Sequence, residues 1–254
     1  MGNKKTLRVG LLGYGKAGQA VARVLQQQEG IELCWILRQN QARQQNSYTD
    51  AGVPILSIQS NLFDYFLDDT PVDALIDFSA PDAVYHYGEA IAAHRTMLVS
   101  AISAYQQPEI DFLTRIGQKT KVLCSPNITL GINFLMIAST LLRRMVPFAD
   151  VAILEQHFRG KPEISGTALK LADRLGVERE DITSLRLGGM IGQHEVIFGF
   201  PYQTMRLIHN SISREAFGSG AVFALQALHR QVQNGFYTLD QLLLNQIRDE
   251  LHHM

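Results

Sequence analysis

The sequence predicts an α/β fold, with an N-terminal doubly wound parallel sheet and a C-terminal α+β domain for substrate binding and oligomerisation. Three observations lead there. Short apolar runs alternate with helix-like segments through the first half of the chain, the pattern of strands covered on both faces by crossover helices. A glycine-rich turn, Gly13-Tyr14-Gly15-Lys16-Ala17-Gly18, joins the first apolar run to the first helix-like segment. After Pro126 the rhythm changes to a long amphipathic helix and then to runs of period two, which belong to a different kind of layer.

In the first half, strands are expected at Leu7–Leu12, Ile31–Leu37, 74–78, Met97–Ser100 and 122–124, and helices at 17–28, 83–94 and 109–118. The polar stretch 38–46 reads as a solvated loop. Beyond it, a helix is expected over 132–145, a strand over 151–157 and a short helix from Gly166. Alternating runs at 184–187, 195–200 and 204–213 predict an antiparallel sheet, and helices at 216–231 and 239–251 close the chain. The expected division is a dinucleotide-binding domain of residues 1–127 with a return at about 221–254, and a substrate-binding and oligomerisation domain of residues 128–220.

Composition bounds the function. The 254 residues are 46% apolar and 19% charged, enough for a sizeable core, and the net charge of −1 gives no electrostatic case for nucleic acid. No apolar run approaches the roughly 18 residues of a membrane span, and the start leads into a strand without the apolar stretch of a signal peptide. A soluble, cytoplasmic protein is expected. Cys34 and Cys124 sit in apolar runs and read as buried free thiols. His86 and His94 lack partners at metal-ligand spacing, so no metal is expected. Arg143-Arg144 reads as a helix end meeting solvent, and Tyr202 and Tyr237 as core or interface.

The glycine turn has the context of a Rossmann fingerprint, after a strand and opening a helix. Gly13 permits the turn, Gly15 a close approach to a pyrophosphate, and Gly18 tight helix–strand packing; Tyr14, Lys16 and Ala17 lie between. The phosphates would sit on the helix N-terminus. At the end of the second strand, where an acid would hold a ribose 2′-hydroxyl, the chain has Arg38, with Arg43 nearby. A guanidinium suits a 2′-phosphate, so NADPH is favoured over NADH.

The chemistry concentrates between Leu154 and Leu169. His157 ends an apolar strand, Lys161 follows across a loop containing Gly160, and Ser165-Gly166-Thr167 opens a helix with Ser165 as its expected N-cap. Free N–H groups at Gly166 and Thr167 would favour a carboxylate. An imidazole and an ammonium beside such an anion site suit an acidic small molecule that accepts hydride and then a proton.

This segment resembles the 4-hydroxy-tetrahydrodipicolinate (dihydrodipicolinate) reductase family of lysine biosynthesis, whose pattern runs E-x-H-H-x-x-K-x-D-x-P-S-G-T-A. The resemblance extends to Ile76-Asp77-Phe78-Ser79-Ala80-Pro81, to Ser125-Pro126-Asn127-Ile128-Thr129-Leu130-Gly131-Ile132-Asn133, to Gly192-Gln193-His194-Glu195-Val196, to Ser213-Arg214 with Gly220-Ala221-Val222, and to Gly235-Phe236-Tyr237. It implies hydride transfer from NADPH or NADH to a cyclic imine-type dicarboxylate. His157 and Lys161 would be catalytic, Gly166 and Thr167 would hold a carboxylate, and Ser125, Pro126, Asn127 and Ile128 would lie along the cofactor. It also implies a homotetramer.

Four departures from the family pattern stand out. The second His of the H-H pair is Phe158, which cannot hold a carboxylate, and the loop beside the nicotinamide is Ser100-Ala101-Ile102-Ser103, lacking two hydroxyls. The loop from Lys161 to Ser165 is one residue short, and the segment 170–183 is shorter than the family's insert, which makes a dimer an alternative to the tetramer. Phe158 and the altered loop favour a paralogous imine or keto-acid reductase as the rival reading. A non-catalytic NADP-binding sensor is the third, and retention of His157 and Lys161 argues against it.

Overall fold

A computed structural model of the chain describes residues 6–38, 47–57 and 62–253. Arg43 and most of the 38–46 loop lie outside the described residues. The chain divides into two compact units, Met1–Ile128 with Phe217–Met254, and Thr129–Ala216.

The first unit is built on an eight-stranded sheet. In chain order its strands are β1 (Leu7–Leu12), β2 (Ile31–Leu37), β3 (Ser47–Tyr48), β4 (Pro54–Leu56), β5 (Ala74–Asp77), β6 (Met97–Ser100), β7 (Lys121–Cys124) and β12 (Gly235–Thr238). Their spatial order is β12-β7-β6-β5-β1-β2-β4-β3, and only the β3–β4 pair is antiparallel. The helices of this unit are α1 (Lys16–Gln27), α2 (Phe63–Asp69), α3 (Val84–His94), α4 (Gln107–Gly117), α7 (Glu215–His229) and α8 (Leu239–His253). Val9, Leu11, Leu75, Ile76, Leu98, Val99, Val122 and Leu123 are all fully buried. Strands with no solvent face cannot alternate polar with apolar, which is why they read as continuous apolar runs.

From β1 the chain moves to β2 on one side, while β5 lies on the other. The sheet therefore has its switch point at β1, and ligands of such sheets bind beyond the carboxyl ends of the strands there. Leu12 pairs with both Leu37 and Asp77, and Asp77 with Ser100, which pairs in turn with Cys124. Gly13, Arg38, Ser100 and Ser125 consequently share one edge.

The second unit has a four-stranded sheet, order β11-β10-β8-β9, from β8 (Asp150–His157), β9 (Ile182–Arg186), β10 (Gly192–Phe200) and β11 (Gln203–Ser211). Helices α5 (Leu130–Met145) and α6 (Gly166–Leu175) cover one face. The core there includes Ile132, Leu135, Met136, Ile153, Ala168, Leu171, Leu175, Val196 and Phe198.

Several expectations change. The second sheet is mixed, because β9 pairs parallel to β8 across the α6 crossover. Gly235–Thr238 is an edge strand parallel to β7, and Phe63–Asp69 is a helix; neither was expected as such. Arg143 donates from its guanidinium to the carbonyls of Pro147 (3.1 Å) and Ala149 (2.9 Å), so it closes the end of α5 instead of meeting solvent. Tyr202 is fully exposed in a turn at φ 69°, not core. Cys34 is only partly buried. No described helix is long and apolar enough to cross a membrane, and no metal-binding group of three side chains occurs among the described residues.

Candidate active site

In the first unit the glycine turn fits a dinucleotide pyrophosphate. Gly13 has φ +87°, and a Cβ there would come within 2.5 Å of the Phe78 carbonyl. A Cβ on Gly18 would lie 2.1 Å from the Gly13 carbonyl, so helix and turn close on each other only through glycine. Above Gly15 there is no atom within 4 Å of such a Cβ. Gly15 is also the N-cap of α1, and no side chain caps this helix. The first turn therefore presents backbone N–H groups and the positive end of the helix dipole to open space, the requirements for a phosphate.

Around the rest of this edge, the Ser125 hydroxyl donates to the Asn127 carbonyl (2.6 Å), and Ile102 and Ile128 are buried. Ser100 Oγ lies 2.8 Å from Tyr105 Oη, which fixes the start of the 100–103 loop. Beneath it, the fully buried Asp77 accepts the Tyr87 hydroxyl (2.5 Å) and both the N–H and hydroxyl of Ser79 (2.8 and 2.6 Å). Burial pushes the Asp77 carboxyl up, against these hydrogen bonds.

In the second unit, β8 alternates, so that Ile153, Glu155 and His157 face the helices together. Glu155 is fully buried, and its carboxylate collects partners from four residues, on β8, on β9 and at the start of α6. It pairs with His157 Nδ1, accepts the Ser184 hydroxyl (2.7 Å) and an Arg186 N–H (2.8 Å), and takes a long bond from the Ser165 N–H (3.4 Å). Burial pushes this carboxyl up, but the hydrogen bonds from Arg186, Ser184 and His157 outweigh it and bring it down to about 2.

The loop carrying Lys161 is folded back by short bonds. Lys161 N–H donates to the Phe158 carbonyl (3.1 Å), and the Arg186 guanidinium donates to the carbonyls of Lys161 (3.0 Å) and Glu163 (2.8 Å). Phe158 itself is 47% exposed. Ser165 caps α6 as expected, but its hydroxyl accepts the Thr167 N–H (3.2 Å). The free amide expected at Thr167 is thus engaged by the cap. Across the helix start, Ser165 Oγ lies 2.7 Å from Nε2 of the buried His194. The His194 ring meets His157 edge-on at 5.2 Å, and burial followed by the neighbouring His157 pushes its imidazole down to about 4.

His157, Lys161, Ser165, Gly166 and Thr167 thus fall in one neighbourhood of the second unit, and the glycine turn, Arg38, Ser100 and Ser125 along one sheet edge of the first. Glu155, Ser184, Arg186 and His194 join this neighbourhood in the structure, beyond the site residues that the sequence motif points to. A signal for Glu155 existed: it stands two residues before His157 in an apolar strand, hence on the same face.

A doubly wound sheet with a ligand-ready glycine turn, joined to a unit bearing a buried histidine–carboxylate pair, defines a nicotinamide-dependent oxidoreductase. Family models described as dihydrodipicolinate reductase, N-terminus and C-terminus, match residues 7–128 and 128–243. A 4-hydroxy-tetrahydrodipicolinate reductase of Thermosipho africanus is 31% identical over 195 residues, covering 76% of this chain and 88% of its own. That of Syntrophus aciditrophicus is 27% identical over 260 residues, covering 91% and 96%. In structure, the dipicolinate-bound dihydrodipicolinate reductase of Paenisporosarcina sp. TG-14 superposes with a TM-score of 0.79 at 21% identity, over 92% of this chain and 97% of that one. The chain belongs to the dihydrodipicolinate reductase family.

Proposed function

We propose that the chain reduces 4-hydroxy-tetrahydrodipicolinate, or a closely similar cyclic imine dicarboxylate, with NADPH, in the cytoplasmic synthesis of lysine and diaminopimelate. NADPH supplies the hydride. Gly13, Gly15 and the first turn of α1 hold its pyrophosphate, and Arg38 at the end of β2 faces the 2′-phosphate. Ser100 to Ile102 and Ser125 to Ile128 line the same sheet edge. The N-terminus of α6, with Ser165, Gly166 and Thr167, takes one substrate carboxylate; the weak Thr167–Ser165 bond is readily exchanged for a charged acceptor. Lys161 assists loss of the substrate hydroxyl as water by donating a proton to it as the C–O bond breaks, and is reprotonated by the proton released from the adjacent ring carbon as the C=C bond forms. His157 donates the proton that balances the hydride. The assembly is a homotetramer or, given the short segment between α6 and β9, a dimer.

The observation that carries this reading is the buried His157–Glu155 pair at the end of β8, one loop away from Lys161. The experiment is NADPH oxidation with enzymatically generated 4-hydroxy-tetrahydrodipicolinate. Saturable turnover is expected, falling at least ~100-fold in His157→Ala and Lys161→Ala, in the range of a lost general acid. Binding of NADPH without turnover of any screened imine or keto acid would sink it.

One observation favours a second reading. Phe158 is half-exposed at the strand end where the family pattern has a histidine, so a paralogous imine or keto-acid reductase with a less anionic substrate is the alternative. A substrate screen in which monocarboxylate imines outperform the dicarboxylate would select it.

A further inference from the structure

The geometry points to Glu155 and Arg186 as a positioning brace, which sets the tautomer of His157 and the place of Lys161 through one shared ion pair. This rests on the catalytic roles proposed above for His157 and Lys161 and adds residues that touch neither substrate nor cofactor.

One Glu155 oxygen faces Nδ1 of His157, while the other is occupied by the Ser184 hydroxyl and the Arg186 guanidinium. A carboxylate so engaged is ionised and has no proton to give, so Nδ1 must carry the hydrogen between them. That leaves Nε2 as the nitrogen that exchanges protons. On the Nε2 side the strand opposite has a glycine. A Cβ on Gly192 would stand 3.0 Å from Nε2, so only glycine leaves that nitrogen clear.

The same guanidinium faces the other way as well. Its Nε donates to the Lys161 carbonyl (3.0 Å), and the nitrogen that holds Glu155 also donates to the Glu163 carbonyl (2.8 Å). Arg186 ends β9, which lies parallel beside β8, with Arg186 paired to His157 in register. The planar fork therefore ties a buried carboxylate on one strand to the backbone on both sides of Pro162. A lysine could keep the charge but not the fork.

The direct test needs no substitution. ¹⁵N spectra of the full-length protein, with NADPH bound and histidines labelled, should show His157 protonated at Nδ1 and bare at Nε2 in its neutral form. The opposite tautomer would overturn the proposal, and this readout stands even if the lysine-pathway substrate proves wrong. Kinetics supply the second arm. In Glu155→Gln and Arg186→Lys, kcat should fall ~10- to 100-fold, the cost of a small misplacement of reacting groups, while KM and the NADPH Kd stay within about twofold. Unchanged kcat in both Glu155→Gln and Arg186→Lys, or equal losses of kcat and cofactor affinity, would equally overturn it.

Discussion

Ser165 Oγ accepts the Thr167 N–H at 3.2 Å and lies 2.7 Å from His194 Nε2, while His194 Nδ1 is buried without a hydrogen-bond partner. A buried bare lone pair costs less than a buried unpaired N–H, which is among the rarest defects of folded proteins. The proton of neutral His194 therefore sits on Nε2 and is donated to Ser165. With Ser165 Oγ accepting from His194, its hydroxyl hydrogen is left to be given to an incoming carboxylate, alongside the Thr167 N–H that exchanges onto the same anion. His194→Leu is expected to weaken binding of pyridine-2,6-dicarboxylate about tenfold, near the lower end for a hydrogen bond to a charged group, with NADPH affinity unchanged. His194→Gln, which restores a donor, should recover most of it. Calorimetric titration of the three proteins decides this, and equal affinities would show the hydroxyl to be unaided.

The depressed imidazole of His194 also predicts a pH dependence of stability. Its ordinary value is 6.5 and burial takes it to about 4, so between these values the unfolded chain binds a proton that the folded chain refuses. Stability is then lost as pH falls from about 6.5 to about 4, and the loss levels off below that. Glu155, lowered from 4.5 to about 2, extends the acid loss further down, since its stabilisation is present above 4.5 and disappears towards 2. Urea unfolding of wild type between pH 7 and 4 should show this slope, and His194→Gln should flatten it in the upper part of the window. An unchanged slope would mean that His194 is protonated in the folded protein.

Gly192→Ala isolates access to His157. The added Cβ would lie 3.0 Å from Nε2, a distance at which the ring must give by a few tenths of an ångström. Gly192 sits in regular β10 at ordinary backbone angles, so the methyl brings no strain of its own. Turnover should drop ~10- to 100-fold while the melting temperature moves by no more than a few degrees. A variant with wild-type kcat would place the reactive nitrogen elsewhere.

How much of this the sequence discloses varies with the constraint. Gly13 and Gly18 are legible because backbone closure forbids any Cβ at those positions. The β5–β7 core reads plainly because both faces are buried. The parallel pairing of β9 with β8 is not legible, since an alternating run looks the same in either direction. The edge strand Gly235–Thr238 is half-buried throughout, without the period that would mark it. Glu155 and Arg186 escape notice because a charged residue in isolation reads as solvated; only the pairing of β8 with β9 shows that they neutralise one another.

Arg38 predicts the cofactor preference. It follows β2 directly, at the edge that carries Gly13, and its guanidinium would favour a 2′-phosphate by a charge-assisted contact. Arg38→Ala should raise the NADPH Kd about tenfold or more, at roughly 1.5–3 kcal/mol for such a bond, and leave the NADH Kd nearly unchanged. Fluorescence titration with both cofactors reads the ratio. A parallel weakening of both would mean that Arg38 supports the turn and does not read the 2′ position.

The three glycines of the turn should respond differently to the same methyl group. At Gly13 a side chain meets both a positive φ and the Phe78 backbone, and at Gly18 it meets the Gly13 carbonyl at 2.1 Å. Backbone cannot step aside as a side chain can, so Gly13→Ala and Gly18→Ala should lower the melting temperature by several degrees as well as impair binding. At Gly15 the space within 4 Å is empty and the backbone is extended at φ −74°. Gly15→Ala should therefore fold with near-wild-type stability, yet lose at least ~10-fold in affinity for both NADPH and NADH, because the methyl occupies the place where a pyrophosphate would approach the helix N-terminus. Differential scanning calorimetry with and without cofactor separates the two cases: Gly15→Ala should match wild type without cofactor and fail to gain the shift that ligand binding confers. If instead Gly15→Ala gains the full shift, the phosphates do not rest on α1, and the role assigned to the turn falls with that result.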